Sequence, residues 1–277
     1  MTDTALSRKG GGVVQWAILE LLLIFAYFPT IVWMIDRWIA PDSYYGHGFL
    51  IPVISLVLVW RKRKELASIE TAPSPLGLPL LTAGLLIHLV SAMVKVYFTS
   101  AFSIVLTVSG LVLALWGKKM LRSVAFPVFF LLFMVPLPLV VIGTTTVRLK
   151  LFATLCATHV LRLLGLPSLQ QGNTIYLAHA TVTVDDPCSG LRSLLSLVTL
   201  GVLFAYLQQT SLPKRAVFLL SSVPIALVAN IIRIVLLAGI ADIYGTEIAL
   251  RFFHDLSGFL VFALALGGLS AVGSWLR

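Results

Sequence analysis

Eight apolar runs dominate the chain, at roughly 13–36, 48–60, 76–95, 100–117, 123–140, 189–208, 216–238 and 256–276, each bounded by short charged or Pro/Gly-containing segments. A run of about 20 apolar residues is what an α-helix needs to cross the hydrocarbon core of a bilayer. The runs are continuous rather than alternating, which favours helices over a transmembrane barrel, because a helix satisfies its own backbone hydrogen bonds in lipid. Only 11% of the residues are charged, against roughly a quarter in soluble domains. Mean hydropathy is +1.01. The sequence therefore predicts an all-α polytopic membrane protein with about eight transmembrane helices, forming a single transmembrane domain over 1–277. The first run is too long for a signal-peptide core and no small-residue cleavage site follows it, so it reads as a retained span.

The net charge of +9 does not point to nucleic acid. The basic residues fall in short clusters between apolar runs, and no basic groove with interleaved aromatics appears. Arg8 and Lys9 precede the first run, Arg61–Lys64 follow the second, Lys118, Lys119 and Arg122 separate the fourth and fifth, and Lys214 and Arg215 separate the sixth and seventh. Placing these clusters in the cytoplasm gives eight crossings with both termini inside. The segments 37–47, 96–99, 141–188 and 239–255 then fall on the outer side, and the chain reads as a multi-pass protein of the cytoplasmic (inner) membrane in contact with its lipids. Cys156 and Cys188 show neither CxxC spacing nor a histidine cluster, so neither a metal nor a cofactor is expected; a disulfide between them is left open.

The long outer segment, about 141–188, changes character along its length. Residues 144–165 scatter Arg148, Lys150, His159 and Arg162 among Leu, Phe, Ala and Val, the pattern of an amphipathic helix lying along the interface. A ninth span is the alternative, but three basic residues would make it costly in lipid. In 168–186, "QQGN" is a turn signal and "NTIYLAHATVTV" alternates, which predicts a small outer β-hairpin leading into Asp185, Asp186 and Pro187.

Three polar positions stand out at the outer ends of consecutive runs. Cys188 opens the sixth. At a helix start, unpaired backbone N–H groups and the helix dipole stabilise a thiolate, and Arg192 four residues on adds positive charge; the bland reading is a buried filler cysteine. Asn230 and Arg233 lie three apart on one face of the seventh run, where a charge within a span is expensive and points to function, or else snorkels to the interface. His254 opens the eighth. A thiol, a histidine to move its proton and an arginine for a developing oxyanion are the minimum set for cysteine acyl transfer. Asp185 and Asp186 can orient Arg192 or His254, or cap the sixth helix, and Tyr45 and His47 in "YYGHG" can line the site from the first outer loop.

"CSGLRS" (188–193), "PIALVANIIRI" (224–234) and "HDLSGFLVF" (254–262) resemble the three signature blocks of the exosortase/archaeosortase family, with supporting similarity in "YYGHGFLIPVISLVLVW" and "FPVFFLLFMVPLP". Members are integral-membrane cysteine transpeptidases. The resemblance implies a cysteine peptidase in which Cys188 is the nucleophile, with Arg233 and His254 as its arginine and histidine. It departs from the family pattern at Pro187, where members often carry Ala. The implied partners are exported proteins bearing a C-terminal sorting signal: a Pro-containing motif, one transmembrane helix and a basic tail. Cleavage would pass through a Cys thioester at the outer face, with transfer to an envelope acceptor. Two other readings of the residues stand beside this one: a transporter or channel with Arg233, Asn230 and His254 in a polar pathway, and a non-catalytic component of envelope polysaccharide export.

Overall fold

A computed structural model describes residues 3–41, 43–208, 211–249 and 254–276, with the backbone alone for 3–20, 187, 248 and 254–256. Contacts divide the chain into two compact units, Met1–Ala40 with Gly46–Pro136, and Pro41–Tyr45 with Leu137–Arg277. The first contains α1 (Asp3–Ile39), α2 (Leu50–Arg61), α3 (Arg63–Ala67), α4 (Gly77–Met93), α5 (Tyr97–Leu115) and α6 (Lys118–Phe130). The second contains α7 (Leu139–Leu163), strands β1 (Leu169–Gln171), β2 (Thr174–Tyr176) and β3 (Thr181–Thr183), then α8 (Leu191–Leu207), α9 (Leu212–Tyr244), α10 (Thr246–Ile248) and α11 (His254–Trp275).

Outward faces of these helices carry Phe25, Leu56, Leu78, Leu220 and Phe259, each largely exposed. So much apolar surface suits lipid and not water. In the first unit, α4 and α5 approach closely because Gly84 faces Thr107 and Gly110 faces Leu81 with no room for a side chain. Small residues at such contacts let backbones pack where the hydrophobic effect between helices is absent. Buried hydroxyls tie α1 to α5: Tyr27 Oη lies 2.8 Å from both Ser103 Oγ and Thr107 Oγ1, and Thr30 Oγ1 lies 2.6 Å from Ser100 Oγ.

Among the described residues, five helices are long and apolar enough to cross a membrane: Leu21–Ile39, Tyr97–Leu115, Leu139–Leu163, Leu212–Tyr244 and Ser257–Trp275. Leu50–Arg61, Gly77–Met93 and Leu191–Leu207 are apolar but shorter. The expected set of about eight spans is therefore not met: the runs at 48–60, 76–95 and 189–208 form these shorter helices, and two further differences change the course of the chain. The fifth run, 123–140, is not one helix: α6 ends at Phe130, a 3₁₀ turn covers Leu131–Met134, and Val135 is extended before Pro136 and Pro138. Two prolines a residue apart remove backbone donors and push the preceding residues out of helical geometry. The second difference is α7. The segment read as an interfacial helix belongs to a continuous 25-residue helix whose length and composition allow a crossing.

The hairpin expected in 168–186 also gains a strand. β1, β2 and β3 form an antiparallel sheet in that order, with "QQGN" turning β1 into β2 around Gly172 and Leu177 N–H donating to Ala180 O to close the second turn at 2.8 Å. Alternation sends Ile175, Val182 and Val184 inward. There they form one core with Ala153, Ala157 and Leu161 of α7 and Ile234, Leu237 and Ala238 of α9. A second core joins α8, α9 and α11 through Leu197, Phe218, Ala226, Val261, Ala265 and Leu269. Helix α9 belongs to both and positions the residues considered next.

Candidate active site

The segment from β3 to α8 is a tethered turn. Val184 N–H donates to Asn173 O at 2.8 Å, and Asn173 Nδ2 donates to Val184 O at 3.0 Å, pinning the chain as it leaves the sheet. Asp185 is extended, and Asp186–Cys188 forms a 3₁₀ turn in which Cys188 N–H donates to Asp185 O at 2.9 Å and Ser189 N–H to Asp186 O at 3.1 Å. Pro187, at the start of this turn, suits a position whose φ the ring pre-sets. Gly190 then adopts the left-handed conformation, φ +79°, and α8 starts at Leu191.

Cys188 is therefore not the first residue of α8, and Arg192 is not one helical turn above it. That removes the geometry by which the dipole and Arg192 were expected to activate the thiol. Cys188 is 7% exposed and belongs to the core around β2, β3, α7 and α9. Burial pushes its thiol above the ordinary range; the Arg233 charge opposes this and the Asp185 charge adds to it. Burial thus works against the thiolate that the sequence led us to expect, because desolvation outweighs the nearby cation.

Helix α9 meets this turn with two polar side chains one turn apart. Asn230, 2% exposed, donates from Nδ2 to Cys188 O at 3.0 Å. Arg233, 8% exposed, donates from Nε to Ser257 Oγ on α11 at 2.9 Å. Arg233 stands eleven residues before the end of α9 at Tyr244, about 16 Å along the helix. It is held inside the bundle rather than snorkelling, and lies deeper than a span ending at 238 implied.

Neither acidic residue caps the helix. No side-chain cap hydrogen bond forms at Asp185 or at Gly190, the residue that precedes α8. Asp186 instead pairs with Lys150 of α7 at 2.6 Å, a bond from an exposed carboxylate that ties the Cys188 turn to a third element. Tyr45, in the second unit, is buried, and burial raises its phenol pKa against a hydrogen bond with the Leu137 backbone. His47 belongs to the first unit, and burial lowers its pKa. His254 begins α11 by its backbone; its side chain lies outside the described residues. Cys156 and Cys188 are both free thiols. Among the described residues no group of three His, Cys, Asp or Glu side chains gathers to hold a metal ion.

Three participants went unread in the sequence. Ser257 lies three residues after His254 within "HDLSG", Gly190 sits inside "CSGLRS", and Lys150 had been assigned to an interfacial face. The Ser-Gly pair before an apolar run was a usable signal, since a glycine there permits φ > 0. Chemically, the arrangement offers a buried thiol on a rigid turn with a guanidinium fixed nearby, where a negative charge forming on sulfur or on a carbonyl oxygen would be stabilised with little screening.

No curated protein and no solved structure matches the chain. The family model described as "Transmembrane exosortase (Exosortase_EpsH)" matches residues 33–271, which takes in the Cys188 turn, all of α9 and most of α11. A match over that much of the sequence, on a multi-pass helical protein, decides the assignment: the chain belongs to the transmembrane exosortase family.

Proposed function

We propose that the protein is a cysteine transpeptidase that cleaves the C-terminal sorting signal of exported proteins at the outer face of the cytoplasmic membrane. The observation that carries this reading is the meeting of Cys188 with Arg233 on a turn held by Asn230, within a family of transmembrane exosortases. The substrate's Pro-containing motif presents the scissile bond beside its transmembrane helix, and its basic tail stays in the cytoplasm.

The Cys188 thiol gives its proton to His254 as Sγ attacks the scissile carbonyl carbon. Arg233 stabilises the oxyanion of the tetrahedral intermediate. Collapse breaks the C–N bond, and the leaving amine takes the proton back from His254, leaving a thioester on Cys188. An acceptor nucleophile from the envelope, or water, loses a proton to His254 as it attacks the thioester carbonyl; the C–S bond then breaks and His254 returns that proton to the Cys188 sulfur. His254 takes this role from the family blocks and its place at the head of α11. A thiol whose pKa burial raises suits this order, since the proton leaves during attack rather than before it.

The test is co-expression with a tagged substrate carrying a Pro-motif, helix and Arg/Lys tail, followed by mass analysis of the new C-terminus. C188A should abolish processing while accumulating normally in the membrane. Normal processing by C188A would sink the reading.

A further inference from the structure

We infer that Ser257 is a positioning residue: its hydroxyl fixes the guanidinium of Arg233 against the Cys188 turn. The inference rests on the proposed role of Cys188. Arginine has donors only, so in the 2.9 Å bond between Arg233 Nε and Ser257 Oγ the serine must accept. Nε carries a single N–H on one edge of the planar guanidinium, and binding it sets the plane of the whole group. Arg233 carries its charge at the end of a long side chain, and it acts on the thiol through where that charge sits.

The surroundings leave little alternative on that side. A cavity of about 360 Å³ opens beside the bond, lined by Leu236, Leu237, Ile240, Phe259, Leu260 and Ala263 around Ser257. Ser257 is the one polar side chain among these lining residues. Three other helix serines in this unit bond to their own helix: Ser221 to Phe218 O, Ser222 to Leu219 O and Ser274 to Ala271 O. Ser257 accepts from a different helix, 24 residues away in sequence. It also lies within one turn of His254, so a single bond couples the helix that carries the arginine to the helix that carries the histidine.

The readout is the pH profile of Cys188 alkylation by iodoacetamide in the purified full-length protein, with Cys156→Ala making Cys188 the sole thiol. S257A should move the midpoint up by about one pH unit, since an opposite charge held near a thiol lowers its pKa by one to three, which is about tenfold slower alkylation at pH 7. In an R233Q background, S257A should cause no further shift. If S257A fails to accumulate, S257T and S257V decide instead, being alike in shape with and without the hydroxyl. S257T should follow the wild-type profile and S257V should show the shift.

An unchanged profile in S257A, an equal shift in the R233Q background, or identical behaviour of S257T and S257V would overturn the inference. Alkylation needs no substrate, so this result is separate from the processing test on C188A. Processing that needs Cys188 but ignores S257A leaves the function standing and removes only the role of Ser257.

Discussion

Gly190→Ala is the sharpest single-atom probe of the Cys188 turn. A Cβ built at Gly190 would lie 2.8 Å from both Cγ and Nδ2 of Asn230 and 3.1 Å from its Cβ. Asn230 cannot retreat cheaply, because it is buried and its Nδ2 already donates to Cys188 O. Two costs follow. Holding alanine at φ +79° costs about 1–2 kcal/mol. Displacing Asn230 strands a buried amide and a buried carbonyl, about 1–3 kcal/mol more. The expected destabilisation is about 2–5 kcal/mol.

Gly172 supplies the control: its φ is +62°, but nothing lies within 4 Å of its built Cβ. G172A should therefore show the backbone cost alone, about 1–2 kcal/mol, and G172N less, because asparagine tolerates the left-handed region. Gly190→Asn should remain as costly as G190A. Denaturation of the detergent-solubilised protein measures the difference between the pairs, and iodoacetamide accessibility of Cys188 reports whether the turn has loosened. If G190A were no less stable than G172A, with Cys188 equally slow to react, the packing of Asn230 against the turn would be refuted.

Two further expectations concern charge and the first unit. Because Arg233 lowers and Asp185 raises the Cys188 pKa, R233Q should move the alkylation profile to higher pH and D185N to lower pH. At a fixed pH below the midpoint D185N then reacts faster and R233Q slower than the parent; equal rates in all three would show that burial alone governs the thiol. Y27F removes the hydroxyl that lies 2.8 Å from both Ser103 and Thr107, and should cost about 1 kcal/mol in the same denaturation measurement. A variant as stable as the parent would exclude that network from stabilising the fold.

Hydropathy located the helices well because lipid-facing runs need no particular period, and it failed where an interruption was itself apolar. Pro136 and Pro138 lie in a run of Leu, Val, Phe and Met that reads as continuous, yet proline acts through a missing N–H rather than through polarity. Pro127 within α6 and Pro224 within α9 are accommodated, so proline alone does not mark the break. Helix α7 was obscured by the opposite effect. Its basic residues suggested an interface, while Thr154 and Thr158 hide their hydroxyls by donating to Lys150 O and Thr154 O at 2.7 and 2.8 Å. Back-bonded threonines pack like small apolar residues, and they sit beside Ala153 and Ala157 on the buried face.

The sequence reading placed Cys188 and Arg233 near the ends of consecutive apolar runs, and in the structure the Arg233 charge acts on the Cys188 thiol. The bond to Ser257 was not legible in the sequence. A helix serine usually bonds within its own helix, and its partner here lies on α9, a relation fixed only by packing between the helices.

The upward push of burial on the Cys188 thiol bears on the part the proposed mechanism gives Arg233. A cation beside a preformed thiolate would stabilise the ground state as much as the transition state, and equal stabilisation of both does not speed the chemical step. Where burial disfavours the thiolate, the proposed mechanism has the same cation meet full negative charge only as the proton leaves and the carbonyl oxygen becomes an oxyanion. Rigidity then matters more than proximity, because a guanidinium that had to reorient during attack would forfeit part of that stabilisation. Three anchors hold the turn to its surroundings: Asn173 at Val184, Lys150 at Asp186 and Asn230 at Cys188. The bonds from Asn173 and Asn230 act on backbone carbonyls and the one from Lys150 acts on the Asp186 carboxylate, so the turn that carries Cys188 is held from three elements.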